Sequence, residues 1–229
     1  MIILLSSTTV NSVVYSTKMK AKEVFLLGSL LCSACVSARD DAKMEWTAPA
    51  GISLQYPLVL VHGIILRDNG RFVHAWGRIP DILQEKGVRI FFGNTDAWGD
   101  IESNAHILKT TIDSILEETG SERVNIIAHS KGGIDARYFI WYYDYGDRVA
   151  SLTTISTPHH GSEIADLLFH SRGMHSRAGR RILAELERLS GDIHPDIYSV
   201  NYELTTEKME EFNNTVVMDD RSDRCRHQV

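Results

Sequence analysis

The stretch Val124-Asn125-Ile126-Ile127-Ala128-His129-Ser130-Lys131-Gly132-Gly133 decides how this chain is read. Four of its first five residues are apolar and three of those are β-branched, the pattern of a strand buried on both faces of a parallel sheet. Ser130 follows at once, with the small residues Ala128 and Gly132 two positions to either side. Ile134-Asp135-Ala136-Arg137-Tyr138-Phe139-Ile140 then reads as a helix. A strand, a serine and a helix in such quick succession require a turn so sharp that only small side chains fit beside it. That turn holds the serine hydroxyl exposed at the C-terminal edge of the sheet, as a nucleophile elbow does.

A second apolar run, Tyr56-Pro57-Leu58-Val59-Leu60-Val61-His62-Gly63-Ile64, ends in His-Gly. An acyl-transfer serine needs backbone N–H donors aimed at the developing oxyanion. One donor comes from the residue after the nucleophile and the other from the loop after an early strand. Here those are the amides of Lys131 and Ile64, with Gly63 letting the loop pass close to the serine. These two stretches, with Asn94-Thr95-Asp96-Ala97-Trp98-Gly99 and Ser156-Thr157-Pro158-His159-His160-Gly161-Ser162, resemble the secreted bacterial triacylglycerol lipases of the α/β-hydrolase superfamily. The resemblance runs in order over residues 56 to 213. It implies an α/β-hydrolase fold, mainly parallel sheet with helices on both faces, and a carboxylic-ester hydrolase whose Ser130 forms an acyl-enzyme. It also implies a lipid or small ester substrate and work at a lipid–water interface.

The bounds agree with one such domain. The chain has 229 residues, 43% hydrophobic and 24% charged, enough for one sizeable core. Its net charge is −6 with no basic block, which speaks against a nucleic-acid partner. No run of about 20 apolar residues predicts a membrane span in the mature chain. Lys18-Met19-Lys20-Ala21-Lys22 followed by Val24-Phe25-Leu26-Leu27-Gly28-Ser29-Leu30-Leu31 has the charged and apolar regions of a secretory signal. Val36-Ser37-Ala38 supplies a cleavage site, so residues 1–38 are expected to be a signal segment and the product to be exported. Met19 rather than Met1 suits such a signal as the start. Cleavage there would leave Cys225 without an internal disulfide partner.

Between the motifs the chain alternates strand and helix, which implies a parallel sheet. Trp76, Ile79, Ile82 and Leu83 trace the apolar face of a short helix closed by Gly87, and Arg89-Ile90-Phe91-Phe92 is the next strand. Asp100 is placed to cap a helix whose stripe is Ile101, Ala105, Leu108, Ile112 and Ile115, with Gly120 at its end. Residues 149–155 form another strand. After Ser162 the resemblance implies a lid, here basic, with Arg172, His175, Arg177, Arg180 and Arg181 ahead of Ile182, Leu186 and Leu189 at helical spacing. Thr205 caps a last helix over 206–212, with Leu204 and Met209 as its hydrophobic staple. Asn213-Asn214-Thr215 matches a glycosylation sequon.

Several histidines compete for a role in the chemistry. A serine hydroxyl needs a histidine base, and that histidine needs an acid to orient it. The side chain of His129 points away from that of Ser130 at so tight a turn. His62 belongs to the oxyanion loop and, with Gly63, His129 and Gly132, is expected to shape the site. His159 and His160 read as structural. The resemblance places the acid on a late strand and the histidine on a late loop, but after Phe212 the chain offers only Asp219, Asp220, Asp223 and His227. Asp219 and His227 are too close in sequence to hold the intervening elements, so the last strands and the triad's acid and base are not identified. Residues 39–213 are expected to be the lipase-like domain and 214–229 a divergent tail. The alternative reading is a catalytically impaired, truncated remnant of that fold, or a related acyltransferase or thioesterase. No cofactor is identified; the resemblance implies calcium, for which this chain supplies no recognisable ligands.

Overall fold

Leu58-Val59-Leu60-Val61 has no polar side chain to leave in water, and as strand β1 (Leu58–Val61) all four residues are buried. The computed structural model describes residues 53–64 and 75–218. The signal-like segment 1–38 and the residues Asp219 to His227 lie outside the described residues. Among the described residues four strands form one sheet in the order β2-β1-β3-β4, with β2 (Ile90–Phe92), β3 (Val124–His129) and β4 (Val149–Ile155). Every pairing is parallel: Leu58 lies opposite both Ile90 and Asn125, and Ile126 opposite Leu152.

The helices connecting the strands cover both faces, because side chains alternate along β1. Val59 and Val61 pack with Leu108, Ile112 and Ile115 of α2 (Ile101–Thr119) and Phe139 of α3 (Gly132–Tyr142). Leu58 and Leu60 face the other way, against Trp76, Val88 and Leu83 of α1 (Ile79–Glu85). The predicted stripe of α2 is buried in full. Its start is capped by Asp100, which accepts from the Ser103 amide at 2.8 Å, and Gly120 ends it at φ 64°. The predicted apolar face of α1 is corrected: Ile79 and Ile82 are 49% and 42% exposed, and only Leu83 and Pro80 turn inwards. A seven-residue helix offers the sheet a single narrow side, and these two isoleucines lie off it.

Beyond β4 the chain builds a helical covering: α4 (Glu163–Phe169), α5 (Arg172–His175), α6 (Arg177–Ser190), α7 (Ile197–Glu203) and α8 (Thr206–Thr215). The sequence reading did not foresee α7. Asp196 caps it by accepting from the Ser199 amide at 2.8 Å, and Ile197, Val200 and Leu204 are buried. Thr205 caps α8, with Leu204 and Met209 buried as the staple requires. That helix runs to Thr215 and Val216 is buried, so ordered packing reaches into residues 214–229. On α6 the apolar stripe points outwards: Ile182, Leu186 and Leu189 are 59%, 42% and 65% exposed.

Carboxylates fasten this covering to the sheet's C-terminal edge by gripping main-chain amides. Asp96 Oδ2 accepts from Ile193 and His194, and Asp192 accepts from Ala97 and Trp98. Glu203 takes the first amide of α2, that of Ile101, and within the covering Asp166 of α4 takes the first amide of α8, that of Thr206.

Candidate active site

Strand β3 runs out at His129, and α3 begins three residues later, at Gly132. Ser130 makes the turn in the left-handed region at φ 54°, a conformation costing an L-residue about 1–2 kcal/mol. Neighbours hold it there: the Ser130 amide donates to Ile155 O at 2.9 Å and its carbonyl accepts from Gly133 at 3.1 Å. Asn94 after β2 and Ser156 after β4 share the positive φ, so three of the four strands end in the same sharp bend.

The ends of β1, β3 and β4 converge on this turn. A Cβ on Gly63 would lie 2.6 Å from Ser130 Cβ and 3.1 Å from its Oγ, so the peptide after β1 passes directly against the serine side chain. A Cβ on Gly132 would overlap the His62 carbonyl, and one on Gly133 would overlap the Thr157 hydroxyl. Glycine is required at all three by close approach, not by φ. Ser130 is half-buried, and Ile64 packs with Ile134, Val200 and Met209 beside it. Lys131 is the N-cap of α3, whose first amides have no acceptor within the helix and sit at the positive end of its dipole. The arrangement can support a charge developing on an atom bound to Ser130.

The histidines divide into fastened and exposed. His62 is 2% exposed, with Nδ1 2.7 Å from Gly63 O and Nε2 2.9 Å from Thr95 O, so both ring nitrogens face carbonyls. His129 meets Trp76 edge-on, with ring centroids 6.4 Å apart. Its pKa is lowered, first by the burial of part of the ring and then by the neighbouring His62. His159 is held between Arg137 Nη1 at 3.2 Å from its Nδ1 and Thr154 Oγ1 at 3.0 Å from its Nε2. Arginine only donates, so Nδ1 accepts and Nε2–H donates to the threonine. Asn213 completes this clasp, accepting from Arg137 at 3.0 Å and donating Nδ2 to His159 O at 2.7 Å. The sequon nitrogen is thus engaged inside the fold. His160 is exposed.

Sequence reasoning missed a buried polar cluster under the turn. Lys131 is 1% exposed and its Nζ donates to Asp135 Oδ1 at 2.5 Å; Asp135 Oδ2 accepts from Asn104 Nδ2 at 2.9 Å. Lys131 and Asp135 at i,i+4 at the start of a largely apolar helix were the available signal. Glu203 is a second buried carboxyl, pushed up to about 8 chiefly by burial and held down in part by Lys131. Among the described residues no group of three or more His, Cys, Asp or Glu side chains converges to hold a metal ion. No described helix is long and apolar enough to cross a membrane.

Comparison with known proteins follows the same outline. The model of the PGAP1-like alpha/beta domain matches residues 97–173. A triacylglycerol lipase of Pseudomonas fragi is 35% identical over 117 residues, covering 51% of this chain and 39% of the relative. One from Vibrio cholerae is 35% identical over 114 residues, covering 50% of this chain and 36% of its own length. The chain therefore matches well under half the length of these curated relatives. Among solved structures, the mature form of a Bacillus licheniformis lipase aligns with TM-score 0.55 at 23% identity, covering 80% of this chain and 66% of that one. A metagenomic carboxyl esterase aligns with TM-score 0.56 at 20% identity, covering 80% and 52%. At these identities the structural likeness speaks for the fold.

Proposed function

We propose that this chain, which has the α/β-hydrolase fold and is similar to bacterial triacylglycerol lipases, is a carboxylic-ester hydrolase with Ser130 as nucleophile. The observation that carries this reading is the approach of Gly63 to Ser130, which sets the peptide after β1 beside the one reactive hydroxyl on the turn. Ser130 Oγ attacks the ester carbonyl carbon while a base takes its proton. The resulting oxyanion accepts from the amides of Ile64 and Lys131; removing one such donor typically costs about 10²–10³ in rate. Collapse expels the alcohol, which recovers the proton, and water then releases the acid from the acyl-serine. The His62 and His159 rings are committed to other partners, so neither is assigned as that base.

The acyl group of the substrate is lipid-like. Support comes from apolar side chains left in water around the C-terminal edge, including Ile155, Ile164 and Leu167. The outward stripe of α6, flanked by Arg172, Arg177, Arg180, Arg181 and Arg188, suits an anionic lipid surface. The protein is exported, and sequencing of the secreted product should begin at Arg39. The test of the function is labelling by a fluorophosphonate with hydrolysis of p-nitrophenyl butyrate. Both should vanish in Ser130→Ala. Equal labelling of that variant would refute the assignment, while acyl-chain binding without turnover would favour a non-catalytic role.

A further inference from the structure

The side chain of Lys131 poses a problem that its amide does not. A buried ion pair is seldom more stabilising than well-packed apolar residues of the same volume. A cation at a helix N-terminus also opposes the helix dipole. Yet Lys131 and Asp135 are 1% and 2% exposed at the side chain, at the start of α3 and beside the nucleophile. Burial pushes the Asp135 carboxyl up, while Lys131 and Asn104 pull it down.

The pair is one end of a continuous chain of contacts. Lys131 Nζ donates to Asp135 Oδ1, and Asn104 Nδ2 donates to Asp135 Oδ2. Asn104, 1% exposed, spends its remaining capacity on the loop after β2. Its Oδ1 accepts from the Asp96 amide at 2.9 Å, and its Nδ2 reaches Asp96 O at 3.0 Å and Gly99 O at 3.3 Å. A Cβ on Gly99 would come 2.6 Å from Asn104 Oδ1, so the loop lies directly on this amide. The same loop holds the other wall of the site, since His62 Nε2 is 2.9 Å from Thr95 O. Two strand ends, each carrying one of the proposed oxyanion donors, are therefore tied to a single loop by buried polar side chains.

We infer that Lys131, Asp135 and Asn104 are positioning residues that set the Lys131 amide relative to the Ile64 amide by fastening the Ser130 turn to residues 95–99, the loop to which His62 holds the end of β1. The inference rests on the nucleophile and donors proposed above. A neutral pair that keeps the hydrogen bonds preserves the positioning; an apolar pair of similar volume preserves the packing and abolishes it.

The full chain and three variants, Ser130→Ala, Lys131→Gln/Asp135→Asn and Lys131→Met/Asp135→Leu, are compared for kcat and KM on p-nitrophenyl butyrate. Inhibition by phenylboronic acid, which forms a tetrahedral adduct on the serine, and thermal midpoint are measured alongside. The apolar pair should melt within a few degrees of the parent, lose about 10- to 10²-fold in kcat with KM little changed, and bind the boronic acid more weakly by a similar factor. The amide pair should recover most of that loss. An apolar pair that keeps parental kcat overturns the inference, as does an amide pair that falls equally far while equally stable. If the apolar pair fails to fold, the amide pair decides alone: it must keep kcat within a few-fold. Turnover in the parent that Ser130→Ala leaves intact would instead overturn the nucleophile assignment, and this inference with it.

Discussion

Replacing Gly63 by alanine puts one methyl group against Ser130. Its Cβ would lie 2.6 Å from Ser130 Cβ, 3.0 Å from His129 O and 3.1 Å from Ser130 Oγ. Ordinary contact between carbon atoms begins near about 3.5 Å, so the peptide after β1 and the Ser130 turn must part by about 0.9 Å. Neither side gives easily. Ser130 is already in a strained backbone conformation, pinned by its hydrogen bonds to Ile155 and Gly133, and His129 O is main chain. Overpacking of this kind costs about 1–3 kcal/mol of stability. For a domain of this size that lowers the melting midpoint by roughly 2–12 °C. A misplacement of about 1 Å between reacting groups costs on the order of 10²-fold in rate, or about 2.7 kcal/mol of barrier. The assay pairs kcat/KM on p-nitrophenyl butyrate with thermal melting, and Gly120→Ala is the control. At Gly120 a Cβ meets nothing within 4 Å but must adopt φ 64°, so stability falls and activity should not. Gly63→Ala within threefold of parental kcat/KM, or Gly120→Ala equally inactive while folded, would refute the convergence of Gly63 and Ser130 as the basis of the site.

Glu203 should make the fold sensitive to pH in an unusual direction. Its folded pKa is raised from 4.5 to about 8, so its contribution is present below the unfolded value and is lost as pH rises through 4.5 to 8. Glu203→Gln, which keeps an acceptor for the Ile101 amide, should gain midpoint relative to the parent between pH 6 and 8 when both are melted across that range; a constant difference would refute this. Asp100→Ala removes the cap of α2, which accepts from Ser103 N and Ser103 Oγ, and should cost about 1 kcal/mol in denaturant unfolding with little change in kcat. Arg180→Glu/Arg181→Glu should weaken cosedimentation with vesicles containing anionic lipid and leave p-nitrophenyl butyrate hydrolysis unchanged, whereas unchanged binding would remove α6 as the surface-facing element.

Most of the sheet was legible because its signals are local. The apolar runs of β1 and β3, the stripe of α2 and the caps at Asp100, Gly120 and Thr205 each announce themselves within a few residues. The Ser130 turn was legible for the same reason, since Ala128, Gly132 and Gly133 stand next to it. What escaped is long-range. His62 meets Thr95 across 33 positions, and Asn104 meets Asp135 across 31, with no periodicity to reveal either. Helix α7 escaped because seven residues are too few for a repeat to show, although Asp196 behind Pro195 is a usable start signal. The spacing of Ile182, Leu186 and Leu189 predicted an amphipathic helix correctly but could not say that its apolar side faces out. Hydrophobic spacing reports that a face exists, not what lies against it.

The carboxylates that fasten the helical covering have a consequence for how this protein can vary. Asp96, Asp192, Glu203 and Asp166 grip the main-chain amides of Ile193, His194, Ala97, Trp98, Ile101 and Thr206. An amide is supplied by every residue except proline. The joint therefore constrains one partner's identity and leaves the other's side chain open. Drift along the covering can change its size, polarity and charge without disturbing these attachments, as long as four acids stay and no proline arrives at those six positions. Ile193, 70% exposed, shows this freedom directly: its backbone is fixed and its side chain is in water. A fold joined this way can renew its outer surface while the frame beneath stays still.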